Sequence, residues 1–374
     1  MRRRLLLKSL GSVAATVAAP HLHAEPRTRL LIGQSAAMSG PAAQLGIQFA
    51  AGAKLFFERT NAAGGVNGKT IELKTLDDGY EPDRCVANTK KLIDEDVFAL
   101  FGYIGTPTSV AALPLATNAR IPFVAPFTGA QGLRDPLNRY AFHVRASYFD
   151  ETARIVNQLY SVGMKNIAVF YQNDAYGQAG LAGVNRALAA LGSKPVALGT
   201  VERNTVDVAA AVKAIASTRP ESVVQISAYK SCAAFIREAR KAGVAGQFCN
   251  VSFVGTSALA TELGKDARGV VVSQVMPYPF AATSPLSDEF VKAASAAKVD
   301  LNYSSMEGYV AAKVLVEGLR RAGANPTRDT LVAGLETMKD VNLGGFFVDF
   351  SPTKHTGSSY VDLTILTDDG RVRH

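Results

Sequence analysis

Tryptophan is absent from this chain, and cysteine is nearly so, at three in 374 residues. An odd count in an oxidising compartment leaves at least one thiol free. Cys232 opens a predicted helix and Cys249 lies in the strand after it. Ten helical residues hold those positions about 15 Å apart, beyond disulfide reach. Cys85, Cys232 and Cys249 are therefore expected as buried, unpaired, small hydrophobes. Histidine is also scarce. Of five, His21 and His23 fall in a segment expected to be removed, and His143, His355 and His374 lack ligand spacing, which argues against a metal site. No Gly-x-Ser-x-Gly elbow and no Gly-x-x-x-x-Gly-Lys-Ser/Thr loop occurs. The dinucleotide glycine fingerprint is missing too, so Gly102-x-x-Gly105 is only a weak phosphate signal. No cofactor is expected, and an enzyme would need a catalytic base that no histidine is placed to supply. Lys and Arg are scattered and not interleaved with aromatics, which argues against a nucleic-acid surface.

The 48% apolar and 19% charged content describes a soluble globular protein, and the length suffices for two domains. Residues 1–24 read as an export signal: Met1 to Lys8 is basic, Leu10 to Ala19 is apolar and small, and Leu22-His23-Ala24 offers a cleavage site. Arg3-Arg4-Leu5-Leu6-Leu7-Lys8 also resembles the twin-arginine export motif. The apolar part is shorter than the roughly 18 residues a membrane span needs, and the signal holds no cysteine for a lipid anchor. The formal charge of +8 contains Arg2, Arg3, Arg4 and Lys8; 40 basic residues less those four leave 36 against 32 acidic, or +4. A periplasmic protein without membrane insertion is expected.

The chain is organised around residues 99–134. The apolar run Val97 to Phe101 reads as a buried strand that stops at Gly102-Tyr103-Ile104-Gly105-Thr106-Pro107-Thr108-Ser109. A helix is predicted over Val110 to Asn118, then a strand over Ile121 to Ala125 that breaks at Pro126-Phe127-Thr128-Gly129-Ala130. Strand, Gly/Thr-rich loop and helix, set side by side, form the ligand crevice of an open α/β sheet. Such loops present free backbone N–H groups and hydroxyls, suited to a carboxylate.

Before this stretch lie strand Leu30–Gln34, a helix over Gln44 to Asn61 with Leu45, Phe49, Ala53, Phe56 and Phe57 at helical spacing, strand Ile71–Leu76, and a helix from Pro82 to Ile93. After it come a short strand, Ala141 to Arg145, and a second α/β series. That series has strands at 167–171, 196–201, 222–226, 247–254 and 269–274, with helices at 151–162, 180–191, 208–216, 231–242 and 257–263. Alternation of this kind implies parallel sheets with helices on both faces. Three helices, 286–297, 305–322 and 327–338, and two final strands, 346–350 and 360–367, suggest two interleaved lobes.

Several of these segments resemble type I periplasmic binding proteins, the solute-binding proteins of ABC importers, in their leucine/isoleucine/valine-binding branch. The likeness rests on Gln34-Ser35-Ala36-Ala37-Met38-Ser39-Gly40-Pro41, Asn61-Ala62-Ala63-Gly64-Gly65-Val66-Asn67-Gly68-Lys69, Asp77-Asp78 and Tyr176-Gly177, and covers essentially the whole mature chain. It implies two Rossmann-like lobes joined by three crossover strands near Arg145, Met276 and Ser358, closing by a hinge motion. The lobes would be 25–145 with 277–357, and 146–276 with 358–374. It further implies that Thr106, Phe127, Thr128 and Gly129 hold a ligand carboxylate, that Leu45 lines the cleft, and that Tyr176 and Tyr229 close over the ligand. The expected function is delivery of a small carboxylate-bearing ligand to an inner-membrane ABC permease by a monomer. A ligand sensor of the same fold is the alternative.

Two departures from the family pattern stand out. Ser252 falls where amino-acid binders of this family place a glutamate against the ligand ammonium, and a buried ammonium without a counter-charge is costly. Either another acid supplies the charge, or the ligand is not an α-amino acid. Glu307, whose simpler reading is a charge at a helix start, is a candidate for that acid. Phe127 stands where a small residue is usual. The family's early disulfide aligns with Tyr80 and Gly105, both non-cysteine here. Asp77 and Asp78 could suggest a metal or acid/base pair, but strand-end carboxylates more often pin loops.

Overall fold

The computed structural model describes residues 29–373; the expected export signal and His374 lie outside them. The chain begins with β1 (Arg29–Ala36), α1 (Ala43–Ala62), β2 (Thr70–Asp77), α2 (Pro82–Asp94), β3 (Ala99–Phe101), α3 (Thr106–Asn118), β4 (Phe123–Val124) and β5 (Ala141–Phe142). These five strands form one sheet, ordered β2-β1-β3-β4-β5 and parallel throughout. The second series runs α4 (Tyr148–Ser161), β6 (Ile167–Gln172), α5 (Ala175–Ala189), β7 (Leu198–Val201), α6 (Ala209–Ala216), β8 (Ser222–Ile226), α7 (Tyr229–Lys241), β9 (Gln247–Asn250), α8 (Thr256–Leu263) and β10 (Val271–Gln274). There follow α9 (Pro285–Ala297), α10 (Tyr303–Arg321), α11 (Arg328–Glu336), the small pair β11 (Val341–Asn342) and β12 (Phe347–Val348), and finally β13 (Asp362–Leu366) and β14 (Val372–Arg373). The second sheet is ordered β14-β13-β10-β9-β8-β6-β7, with β13 and β14 antiparallel. No described helix is long and apolar enough to cross a membrane.

Alternating strands and helices thus build two separate α/β sheets, the two-lobed architecture expected. The chain passes between them after β5, after β10 and before β13. At the passage, His143 pairs as a parallel bridge with Thr356; its N–H donates to His355 O at 2.8 Å, and its carbonyl accepts from Gly357 N at 2.7 Å. Phe142 stacks on the His355 ring with centroids 3.9 Å apart.

The late helices return to the first sheet through α10, which packs on α1. A Cβ at Gly52 would stand 1.8 Å from the Ser305 carbonyl oxygen, and one at Gly308 2.0 Å from that of Phe49. The two helices therefore touch backbone to backbone, which only glycine allows. The α1 residues at helical spacing (Leu45, Phe49, Phe56 and Phe57) are buried, each worth about 1.5–3 kcal/mol.

Several helices start earlier than their apolar periodicity predicts, and at three of them this matters for the site. α3 begins at Thr106 rather than Val110, because Pro107 is tolerated in a first turn. α5 begins at Ala175 because Asp174 caps it, accepting from Tyr176 N at 2.9 Å. α7 begins at Tyr229. Conversely, β9 ends at Asn250, and residues 252–254 form a single 3-10 turn. Cys85, Cys232 and Cys249 are buried and unpaired.

Candidate functional site

The site lies where the carboxyl ends of the parallel strands of the two sheets face each other, the crevice position of open α/β folds. On the first lobe, β3 leads through Gly105 into α3. Gly105 sits at φ +96°, and a Cβ there would be 2.2 Å from Tyr80 Cε2. Tyr80 and Gly105, the pair aligned with the family's disulfide, are thus in contact. Thr106 occupies the first turn of α3, and its hydroxyl lies 2.6 Å from that of Thr128 in the loop after β4. Thr128 Oγ1 also accepts from Ala130 N at 3.2 Å.

Buried Arg134 holds that loop from behind, donating to Ala130 O at 2.9 Å and to the carbonyls of Thr128 and Arg145 at 3.2 Å. Gly129 packs on the start of α4: its carbonyl accepts from Tyr148 N at 2.7 Å, and a Cβ there would be 2.5 Å from Tyr148 Cδ1.

Aromatic rings fill the space between the lobes. Phe253 is central, with centroids 4.6 Å from Tyr176, 5.6 Å from Phe127 and 5.8 Å from Tyr80. Phe127 also meets Phe49 at 5.5 Å, and Tyr176 meets Tyr148 at 5.4 Å. Thr106, Phe127, Thr128, Gly129, Tyr176 and Ser252 are therefore gathered in one place. Leu45 and Tyr229 stand apart from this group, where the start of α1 meets the second lobe: Leu45 Cδ2 lies 2.5 Å from where a Cβ on Gly255 would be, and the Tyr229 hydroxyl faces the Gln44 backbone.

The charged heart of the cleft was not legible as such. Arg145 is 1% exposed, with its guanidinium carbon 4.8 Å from the Phe127 ring centre. Its Nη2 donates to Ser252 Oγ and to Glu151 Oε1, the latter at 3.4 Å, and its Nη1 lies 3.6 Å from Glu307 Oε1. Glu151 also accepts Ser252 N at 2.7 Å, Ser252 Oγ at 3.0 Å and Ser273 Oγ at 2.5 Å. Glu307 lies near the start of α10, as the simpler reading has it, but is 5% exposed and faces Arg145. Burial pushes its carboxyl up to about 7, against the opposing pull of Arg145. Burial opposes the charge of Arg145 as well, but Glu307 and Glu151 outweigh it and hold the guanidinium above its ordinary value. An enclosed cavity of about 10 Å³, lined by Phe127, Ser252, Gln274, Met276, Tyr303 and Glu307, adjoins this group. It is roughly the room for one water.

Two of these residues had a signal in the sequence. Glu151, Ile155 and Leu159 recur every four residues, placing an acid on the apolar face of α4, and Arg145 ends an apolar run. Tyr148 and Phe253 read only as core. Asp77 and Asp78 pin loops. Asp77 accepts from Met38 N at 2.9 Å and Ser39 Oγ at 2.6 Å, and Asp78 from Ser35 Oγ at 2.7 Å and Tyr80 N at 2.8 Å.

At the lip of the cleft the lobes are clasped. Arg203 Nη2 donates to Glu81 Oε2 at 2.8 Å, while Asn204 Nδ2 donates to Glu81 Oε1 at 2.7 Å and to Gly79 O at 3.1 Å.

Two α/β lobes that face each other across a cleft of hydroxyls and rings define a two-lobed small-molecule binding protein. Residues 30–371 match the family described as periplasmic binding protein, and the chain belongs to that family. It is similar to an "Amino acid binding protein" of Pseudomonas aeruginosa, 29% identical over 280 residues, covering 73% of this chain and 74% of that one. Among solved structures it resembles a possible leucine/isoleucine/valine-binding protein from Rhodopirellula baltica (TM-score 0.88, 34% identity, 92% of this chain and 96% of that one). A substrate-binding periplasmic protein from Ralstonia solanacearum is similar too (TM-score 0.86, 33% identity, 92% and 99%).

Proposed function

We propose that this protein is the exported substrate-binding component of an ABC importer, capturing a small carboxylate-bearing ligand between its lobes and presenting the closed form to an inner-membrane permease. The observation that carries this reading is the buried Thr106–Thr128 hydroxyl pair at the ends of β3 and β4, at the N-terminus of α3, where the helix dipole favours an anion. In the Phe127–Gly129 loop the Phe127 and Thr128 N–H groups donate to Tyr103 O and Pro126 O, each at 2.8 Å, which leaves the Gly129 N–H as the loop's backbone donor for a ligand. Tyr176 closes from the second lobe, with Leu45 and Tyr229 at the neighbouring contact. Ligands within reach are branched-chain or other amino acids and aromatic or aliphatic carboxylic acids.

The lobes are read as 25–145 with 277–357 and 146–276 with 358–374. Relatives carry names such as "Leu/Ile/Val-binding protein", which supports the class of cargo.

A thermal-shift screen of mature protein, refolded free of carried-over ligand, tests this. A ligand at one hundred times its Kd stabilises by about 2.7 kcal/mol. With an unfolding entropy of about 2.1 cal/mol/K per residue, that raises Tm by about 4 °C. No response to any carboxylate, amino or not, would remove the clamp reading. A response abolished by Thr106→Val would support it.

A further inference from the structure

Unpartnered donors gather on the threonine side of the cleft. On this side of the cleft, Arg145 Nε and Nη1 and the Tyr176 hydroxyl are buried without a hydrogen-bond partner, and the Tyr148 hydroxyl is within hydrogen-bonding range of Thr128. All four can donate, and the guanidinium nitrogens can do nothing else. The Tyr148 hydroxyl sits beside Thr128 and Tyr176 packs on Tyr148, so these hydroxyls adjoin the threonines, while the Arg145 guanidinium lies against the ring of Phe127, the residue before Thr128. The unpartnered acceptors lie elsewhere: Gln172 Oε1 on the Tyr80 side, its amide nitrogen bonded to Tyr80 and Asp174, Asn204 Oδ1 at the lip and Asn250 Oδ1 at the end of β9.

The carboxylates of the cleft offer little to a cation. Glu151 is saturated by four donors from Arg145, Ser252 and Ser273. Glu307 faces Arg145 across 3.6 Å and has no hydrogen bond among the described residues. A ligand ammonium drawn to Glu307 would stand close to the guanidinium and strip it of half its counter-charge. A ligand carboxylate on the free edge of Arg145 meets no such conflict. The buried charges that surround the Arg145 group are Arg134 and Arg145 against Glu151 and Glu307, with Asp78 also buried, bonded to Ser35 and Tyr80 N, and Glu307, raised by burial, can balance an incoming anion by holding a proton.

Building on the carboxylate-capture reading above, we propose that Arg145 decides which charge the ligand carries: the cleft takes a carboxylic acid with an apolar body and no ammonium group. Its carboxylate is bonded by the threonine hydroxyls and the open edge of the Arg145 guanidinium, in the fork geometry that arginine offers. The body lies where the rings of Phe127 and Phe253 now meet, and these part to admit it. Ser252, bound to both Arg145 and Glu151, holds the guanidinium in place.

The test is calorimetric titration of the refolded mature protein with matched pairs differing only in the ammonium: 4-methylpentanoate against leucine, and 3-phenylpropanoate against phenylalanine. At least one acid is expected to bind ten times or more tighter than its amino partner. The isosteric Glu307→Gln variant, which keeps the shape and removes a negative charge, should bind that acid as tightly as the parent protein or tighter. Arg145→Lys, which keeps the charge and loses the fork, should bind it at least tenfold more weakly. Amino acids binding tighter than the acids, with Glu307→Gln abolishing that binding, would make Glu307 the ammonium partner and overturn the proposal. Equal binding within pairs would also overturn it, yet leave carboxylate capture standing. Binding of neither series would overturn both.

Discussion

Replacing Glu307 by glutamine should stabilise the protein, and by an amount that depends on pH in a defined direction. Burial raises the Glu307 carboxyl from 4.5 to about 7 even with Arg145 beside it. The folded protein therefore binds this proton more tightly than the unfolded chain does. By linkage, stability falls as pH rises from about 4.5 to about 7, and the cost is constant above that. A shift of 2.5 units corresponds to about 3 kcal/mol, or about 4 °C in Tm for a chain of this size.

Glutamine mimics the protonated form, so it lacks this slope. The variant should match the parent near pH 4.5 and exceed it by about 4 °C at pH 8. Other titrating groups act on both proteins and cancel in the difference. Asp78, raised by burial to about 6, adds a slope of the same sign, and buried His143, held well below its ordinary value by burial and Arg134, adds one of opposite sign as pH falls below its unfolded value. Melting curves by circular dichroism between pH 4.5 and 8.5 give the measurement. A Tm difference that is the same at both ends would refute the reasoning, since Glu307 would then not be titrating against its burial.

Two further outcomes follow from geometry alone. Gly105→Ala places a methyl 2.2 Å from the Tyr80 ring at φ +96°; strain and overpacking together should cost about 2–5 kcal/mol, and an urea midpoint unchanged from the parent would contradict the Tyr80 contact. Arg203→Ala removes the ion pair to Glu81 across the lip. As Arg203 and Glu81 are partly exposed, global stability should change by less than about 1 kcal/mol, while the Kd for a bound ligand rises about threefold to fivefold because the closed form is less populated; an unaltered Kd by titration would show that the clasp does not govern closure.

Much of the architecture could be read from residue pattern because it depends on local rules. The alternation of apolar runs with helical spacing marks the two α/β series, and Pro and Gly mark where they break. The placing of Thr106 and Thr128 at adjacent strand ends followed from the two strand–loop breaks, while the contact of their hydroxyls came only with the structure. Helix starts were misread where a first turn carries few apolar residues, as at Thr106, Ala175 and Tyr229: periodicity is silent there, and caps decide. The two-residue strands β11 and β14 escaped because two residues carry no period. The late helical block could not be assigned by pattern to either lobe. Gly52 and Gly308, 256 positions apart, had to meet before α10 could be placed on α1.

The sequence by itself determined the class of fold, the family likeness and the hydroxyls at the two strand ends, because each depends on residues close along the chain. Only the tertiary structure decided the charge of the cleft. Arg145, Glu151, Ser252 and Glu307 come from a crossover, a helix, a turn and another helix. Whether a carboxylate is free, saturated or protonated depends on which distant donors surround it and how far water is excluded. Those are properties of packing, and no spacing in the chain records them.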